Sequence, residues 1–472
     1  MAALANKTVS VVELVEHTIA RIESIDLTIN AIPVRDFERA RVAAKAADAA
    51  MARGDQRPLL GLPMSVKESF NVTGLPTTWA NPQYQNWYPA EDSLAVTRLK
   101  AAGAIIIGKS NVSYMLQDWQ SYNDMFGTTN NPWDLKLTPG GSSGGSAAAL
   151  AAGLVSLELG SDLAGSLRAP AHFCGIYSHK PSQDLIPMRG SGPPTMPPSP
   201  GRLDLVAIGP MARTAADLRL ALNVLAGPDD MLDGKGYRLA LPAPRQQQLS
   251  DYRVLILDSH PLYPTAEVIQ QSLHDLADRL AKRGVTVSRD ATRIPSLAKI
   301  AQSFALFLAA FLAADMPIDI YQKFKNEAEK LSADDSSLGA LFLRGFAISY
   351  RDWMLAMRAR GALRQQWRSL FKDFDVIICP TMPTLAFPHD HSDVNQRQLN
   401  VDGQLVPYDN QFIWISIATL LGLPATVAPI GHAKNGLPVG VQIIGNYLED
   451  YTTIEFAHLL EREWGGFTPP KL

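Results

Sequence analysis

The sequence predicts an α/β fold organised as one large domain, and three observations carry that reading. Helical and strand-like segments alternate along all 472 residues, the pattern of a layered α/β unit and not of several small domains. A strand, helix, strand succession over 254–287 reads as a βαβ unit with a right-handed crossover. The composition, 46% hydrophobic and 19% charged, is that of a globular chain with apolar residues enough for a large core.

The elements follow in order. Ser10 and Glu13 form a capping box, and Val11, Leu14, Val15, Ile19 and Ile22 recur at helical spacing, so the chain opens with an amphipathic helix. An Ala- and Arg-rich helix covers 36–53. The apolar run 62–66 is a strand ending at Lys67. Residues 94–102 are helical and 104–107 form a β-branched strand. After a Gly/Pro-rich loop over 189–202, Thr214 caps a helix that Gly227 and Pro228 end. The polar stretch 242–251 is the best linker candidate. It precedes the strand 254–258, a helix over 265–283 and the strand 285–287. Helices dominate 297–371, strands return at 375–381, 423–430 and 437–445, and a final helix spans 451–464. The expected layout is thus an N-terminal helical segment (1–60), a core (61–240) and a C-terminal part (241–472) completing the sheet.

Charge excludes some functions. A net charge of -3 without a basic block argues against a nucleic-acid partner. Cys174 and Cys379, the two cysteines, are far apart and suit neither a disulfide framework nor a zinc site. The longest apolar run, 304–314, is far short of the roughly 18 residues of a membrane span, and the N-terminus lacks a signal-peptide core. The expectation is a cytoplasmic protein without membrane contact.

The stretch that carries chemistry runs from Thr138 to Pro170. TPGGSSGGSAAALAAG leads from a Gly/Ser loop into a small-residue helix, and SDLAGSLRAP places a second serine on a second glycine turn. An isolated Gly/Ser run is usually a flexible linker. Here an apolar helix and strand follow at once, so the glycines answer a backbone requirement inside a core. Two motif matches fail on context. GAIIIGKS (103–110) fits a phosphate-binding loop, but its central positions are themselves a strand. GGSSG (140–144) fits a hydrolase nucleophile elbow, but the polar, proline-broken WDLKLTP precedes it in place of a buried strand.

These two blocks, with GLPMSVKES upstream (61–69) and GLPVGVQIIG near the end (436–445), resemble the amidase signature family over nearly the whole chain and in the family's order. The resemblance implies a mixed, mainly parallel central sheet with helices on both faces. It also implies a Ser–cis-Ser–Lys triad: Lys67 as base, Ser142 as bridging serine after a cis Gly141–Ser142 peptide, and Ser166 as nucleophile. Leu163, Ala164, Gly165 and Ser166 correspond to the oxyanion hole, with Gly141, Ser143, Asp162 and Arg168 in support. No cofactor or metal is implied. The chemistry agrees, because a serine hydroxyl needs a base within reach, and a lysine serves only when burial and its neighbours keep it neutral. A lone lysine after a strand is ordinarily a surface residue; the company of the other motifs sets Lys67 apart.

Three departures from the family bear on substrate. Ala164 replaces a glycine, which strains the turn if that position needs positive φ. SHKPS (178–182) replaces LKPT. The family's acidic residue after its GKxN element is absent from GKSNVSYM. The expected reaction is acyl transfer from an amide to water, with esters and carbamates as further substrates, by a monomer or homodimer. Hydrophobic segments 114–122, 304–311 and 341–350 are pocket candidates, among them Tyr114, Met115, Gln117 and Trp119, although each aromatic alone reads as core filling. Together they imply an apolar or aromatic small molecule. Three rivals stand beside this reading: the ammonia-producing component of a tRNA-dependent amidotransferase (its A chain type), a Ser-His-Asp esterase using His172 or His179, and a catalytically dead binding protein.

Overall fold

The computed structural model describes residues 4, 6, 8–195 and 202–472. The end of the expected Gly/Pro loop, 196–201, lies outside the described residues.

Ser10 opens α1 (Val11–Ile29) through the expected capping box, its side chain accepting from the Glu13 N–H while the Glu13 carboxylate accepts from the Ser10 N–H. β1 (Val34–Arg35) and α2 (Phe37–Ala52) follow. Next come β2 (Pro63–Lys67), α3 (Leu94–Ala101) and β3 (Ile105–Ser110). The strand β3 takes in Gly108, Lys109 and Ser110, so the apparent phosphate loop is extended backbone. Lys109 is fully buried, bonded to Thr77 Oγ1 at 2.9 Å and 3.7 Å from the Glu68 carboxylate. The central stretch supplies α4 (Gly144–Ala151), buried along its whole length, then β4 (Leu157–Asp162) and α5 (Arg168–Cys174).

β5 (Tyr177–Lys180) and β6 (Ala207–Ala212) lack clear signals in the sequence, and β6 contains Gly209 and Pro210. The glycine has a packing reason: a Cβ there would lie 2.0 Å from the His179 carbonyl of neighbouring β5. Thr214 caps α6 (Ala215–Leu225) as expected. The βαβ unit is β7 (Arg253–Ile256), α7 (Glu267–Lys282) and β8 (Thr286–Ser288), with its strands parallel. The helical region resolves into α8 (Leu297–Ala313), α9 (Ile318–Ala328), α10 (Leu338–Phe346) and α11 (Tyr350–Leu370). β9 (Val376–Pro380) returns to the sheet, β10 (Gln398–Val401) and β11 (Gln404–Pro407) form a separate hairpin, and α12 (Ile415–Leu421) leads to β12 (Ala425–His432), β13 (Pro438–Ile444) and α13 (Asp450–Trp464).

One eleven-stranded sheet unites these parts in the order β1-β3-β2-β4-β6-β5-β12-β13-β9-β7-β8. The sheet is mixed, with parallel pairing in two blocks: β3-β2-β4 and β9-β7-β8. The strands between the blocks pair antiparallel. Helices cover both faces, and β3 shows why, since Ile105 and Ile107 enter one apolar cluster with α1, α2 and α4 while Ile106 enters the other. The stretch 242–251 is not a free linker. Arg245 ties it to Glu449, 2.8 Å from the Oε1 atom, and to the Phe374 carbonyl at 3.1 Å, and the sheet runs on across it.

The parallel block β3-β2-β4 positions the chemistry. Parallel strands bring their carboxyl ends to one edge, and there Lys67 ends β2, Ser110 pairs with it from β3, and Asp162 ends β4. Such an edge is where open α/β sheets bind ligands.

Candidate active site

Lys67 is fully buried, and its Nζ donates to Ser142 Oγ at 2.7 Å and to Ser161 Oγ at 3.0 Å. Burial pushes its ammonium down to about 7, against the pull of the Asp162 carboxylate in the other direction. Ser142 follows a cis peptide at Gly141–Ser142. A Cβ on Gly141 would lie 2.4 Å from the Asp118 carbonyl, so only glycine fits. Ser121 holds this loop, its Oγ donating to the Gly140 carbonyl and accepting from the Gly144 N–H, both at 3.0 Å.

The second turn carries Ser166. Ser142 is 1% exposed and Ser166 9%, so of the three predicted residues Ser166 reaches furthest toward solvent. The two turns meet through backbone, with the Ser143 N–H donating to the Ser166 carbonyl at 3.2 Å. No hydrogen bond joins the Ser142 and Ser166 hydroxyls among the described residues. Gly165 takes the positive φ, +93°, and Ala164 does not, so the expected strain at Ala164 is absent. The Gly165 N–H is committed to Asp162 Oδ1 at 2.9 Å. Among the described residues that leaves the N–H groups of Leu163, Ala164 and Ser166 as the open donors of the turn. Leu163 and Ala164 are half-buried at its rim.

Asp162 and Arg168 clamp the turn, both fully buried and 2.9 Å apart. Burial alone raises the Asp162 carboxyl, but the Arg168 guanidinium holds it below the usual carboxylate range. Arg168 also bonds the Ile415 carbonyl at 2.9 Å, Gln442 Oε1 at 3.0 Å and Thr419 Oγ1 at 2.7 Å, fixing the turn to α12 and β13. Asp162→Ala leaves this cation buried and unpaired, which costs about 3–5 kcal/mol. A large fall in thermal midpoint is expected; an unchanged melting curve would contradict the clamp.

The histidines of the esterase reading sit elsewhere. His172 Nδ1 accepts from the Gly440 N–H at 2.8 Å, Nε2 lies 3.1 Å from the Thr384 carbonyl, and burial pushes its imidazole down to about 4. His179 lies between Thr426 Oγ1 at 2.9 Å and Asp450 Oδ1 at 3.0 Å. Neither is hydrogen-bonded to Ser166. Among the described residues no group of three His, Cys, Asp or Glu side chains is arranged to hold a metal.

Of the pocket candidates, Tyr114 and Gln117 are exposed, and Met115 Sδ accepts from Asn81 Nδ2 at 3.7 Å. Trp119 reaches the site, with its Nε1–H donating to the Ala164 carbonyl at 2.7 Å. The aromatics of α8 and α10 pack against neighbouring elements, Phe304 on Phe412 with centroids 5.3 Å apart and Phe346 stacked on Phe324 of α9 at 4.6 Å. A cavity of about 580 Å³ is walled by Leu385, Phe387, Leu399 and Tyr408; its lining excludes Lys67, Ser142 and Ser166. Ser161, the second partner of Lys67, has no distinguishing sequence signal beyond its place in the SDLAGS block.

No helix among the described residues is long and apolar enough to cross a membrane. The amidase family model matches residues 13–454. The glutamyl-tRNA(Gln) amidotransferase A-type subunit of an Exiguobacterium species is 32% identical over 490 residues, covering 98% of this chain and 96% of that protein. Its counterpart from a Roseiflexus species is 33% identical over 478 residues, covering 98% and 94%. Among solved structures, an inhibitor-bound chain from a vestigial complex tied to the origins of an s-triazine catabolic enzyme superposes with a TM-score of 0.80 at 27% identity, covering 98% of this chain and 97% of that one. A bacterial aryl acylamidase of the amidase signature family superposes at 0.81 with 23% identity, covering 98% and 95%, a likeness of fold alone. A family match over most of the chain, joined to these relatives and to the sheet edge that gathers the signature motifs, shows that the chain belongs to the amidase family, the amidase signature enzymes.

Proposed function

We propose that the protein cleaves a carboxamide C–N bond through an acyl-enzyme on Ser166. The observation that carries this is the buried lysine on Ser142, whose neutral form is a base held against a hydroxyl. Neutral Lys67 takes the Ser142 proton as Ser142 takes that of Ser166, and the freed Ser166 Oγ adds to the substrate carbonyl. The negative charge that forms on the carbonyl oxygen is met by the open N–H groups of Leu163, Ala164 and Ser166. The proton returns through Ser142 to the leaving nitrogen, the amine departs, and water repeats the sequence on the acyl-enzyme.

Two substrate readings stand. The partly buried apolar side chains at the Ser166 turn, Trp119, Leu163 and Ala164, favour an apolar or aromatic small molecule, with ester and carbamate cleavage by the same steps. The curated relatives favour the second reading, the A-type component of a glutamyl-tRNA(Gln) amidotransferase, in which glutamine is the amide and the other components are partners. A panel of anilides, primary amides including glutamine, p-nitrophenyl esters and carbamates separates them. Turnover of anilides or aliphatic amides by the isolated chain supports the first. Glutamine hydrolysis that appears only with partner proteins supports the second. Failure of every substrate, together with no labelling of Ser166 by a fluorophosphonate, overturns both.

A further inference from the structure

The segment 118–122 touches both serine-bearing turns. Its backbone lies against Gly141, where an added Cβ would meet the Asp118 carbonyl at 2.4 Å and the Gln120 nitrogen at 2.6 Å. From the same segment the Trp119 indole holds the Ala164 carbonyl. The peptide joining Ala164 to Gly165 is thereby fixed at its oxygen by Trp119 and at its nitrogen by Asp162. The orientation of the neighbouring N–H groups follows from that of this peptide.

The segment is in turn gripped from far along the chain. Arg397, 5% exposed, donates through Nη1 to Asp118 Oδ2 at 2.6 Å and through Nη2 to the Tyr122 hydroxyl at 2.6 Å. The Tyr408 hydroxyl donates to Asp118 Oδ1 at 2.6 Å, and its ring meets Trp119 edge-on with centroids 5.8 Å apart. Gln120 exchanges two bonds with the Asp390 backbone, at 2.7 and 3.0 Å. A bidentate carboxylate held by two short donors is a rigid anchor for the residue that follows it.

Resting on the proposed Ser166 chemistry, we infer that Trp119 is a positioning residue for the oxyanion turn and that the Asp118–Arg397–Tyr408 clamp holds it in place. Trp119 acts through the Ala164 carbonyl and not on the base, since neither it nor the clamp is bonded to Lys67. Its loss therefore lowers the rate of the chemical step and leaves the acid limb of the pH profile where it was.

The test is the second-order rate of Ser166 labelling by a fluorophosphonate, whose phosphoryl oxygen develops charge at the same turn. It is measured from pH 5 to 9 for the full chain and for Trp119→Phe, which keeps a ring and deletes the N–H. We expect labelling slower by about tenfold or more, in the range of a lost oxyanion donor or its support, with an unmoved acid midpoint. A smaller decrease, or a midpoint displaced toward ordinary lysine values, overturns the inference. If Trp119→Phe does not fold, Tyr408→Phe removes one of the two donors to Asp118 and keeps the ring; slower labelling at an unmoved midpoint supports the clamp, and wild-type labelling overturns it. Absence of labelling in the wild type tells against the Ser166 reading itself and is distinguishable from either result.

Discussion

Ser166→Ala is expected to reduce turnover on any accepted amide to background, a loss of roughly ten-thousandfold or more. The magnitude follows from the proposed covalent chemistry: without the hydroxyl no acyl-enzyme can form, and the remaining N–H donors stabilise only the slow direct attack of water. The substitution removes one oxygen from a side chain whose hydroxyl makes no hydrogen bond among the described residues, so the melting curve is expected to stay close to that of the wild type. The same preparation tests the esterase alternative. His172→Ala and His179→Ala each delete a buried, hydrogen-bonded ring and lower stability, yet their folded fraction is expected to keep turning over. Substantial turnover by Ser166→Ala, or complete loss in a folded His179→Ala, would refute the assignment of the nucleophile.

Local pattern made much of this legible. The capping box at Ser10, the strand ending at Lys67 and the helix capped by Thr214 stand where periodicity and caps place them, because the decisive interactions lie within a few residues. The cis bond lies at Gly141–Ser142, where the family resemblance implies it. The strand β6 was illegible because Gly209 and Pro210 read as breakers, while the close approach of β5 that requires Gly209 comes from a residue elsewhere in the sheet. Ala164 was legible as a departure but not as harmless, since only the backbone shows that the positive φ falls on Gly165. The partners of the turn were hidden by distance: Arg397 lies 279 residues from Asp118 and Thr419 lies 251 from Arg168. A serine facing a lysine from the neighbouring strand, as Ser161 does, looks in sequence like any other serine in a strand.

The base is where activity and stability oppose each other. Lys67→Met, which keeps the stem and removes the amine, is expected to lower turnover by about 100- to 10,000-fold, the usual contribution of a positioned proton-transfer group. In the proposed mechanism the neutral amine is the active form, and burial pushes the ammonium down to about 7. Raising pH through that value removes the proton and activates, so kcat/KM is expected to fall tenfold per unit below it and to level off above; a profile flat down to about pH 5 would sink the lysine mechanism. The stability sign runs the same way. The folded pKa lies below the ordinary value of 10.5, so between 7 and 10.5 the unfolded chain binds the proton that the folded one releases, and stability is lost as pH falls across that window. Methionine carries no such proton. At pH 7 Lys67→Met should therefore melt above the wild type, and the difference should narrow as pH rises toward 9. A variant that is inactive yet less stable than the wild type at pH 7 would mean that the lysine's bonds to Ser142 and Ser161 outweigh the cost of burying it. The coupling of base strength to desolvation at this position would then have to be abandoned.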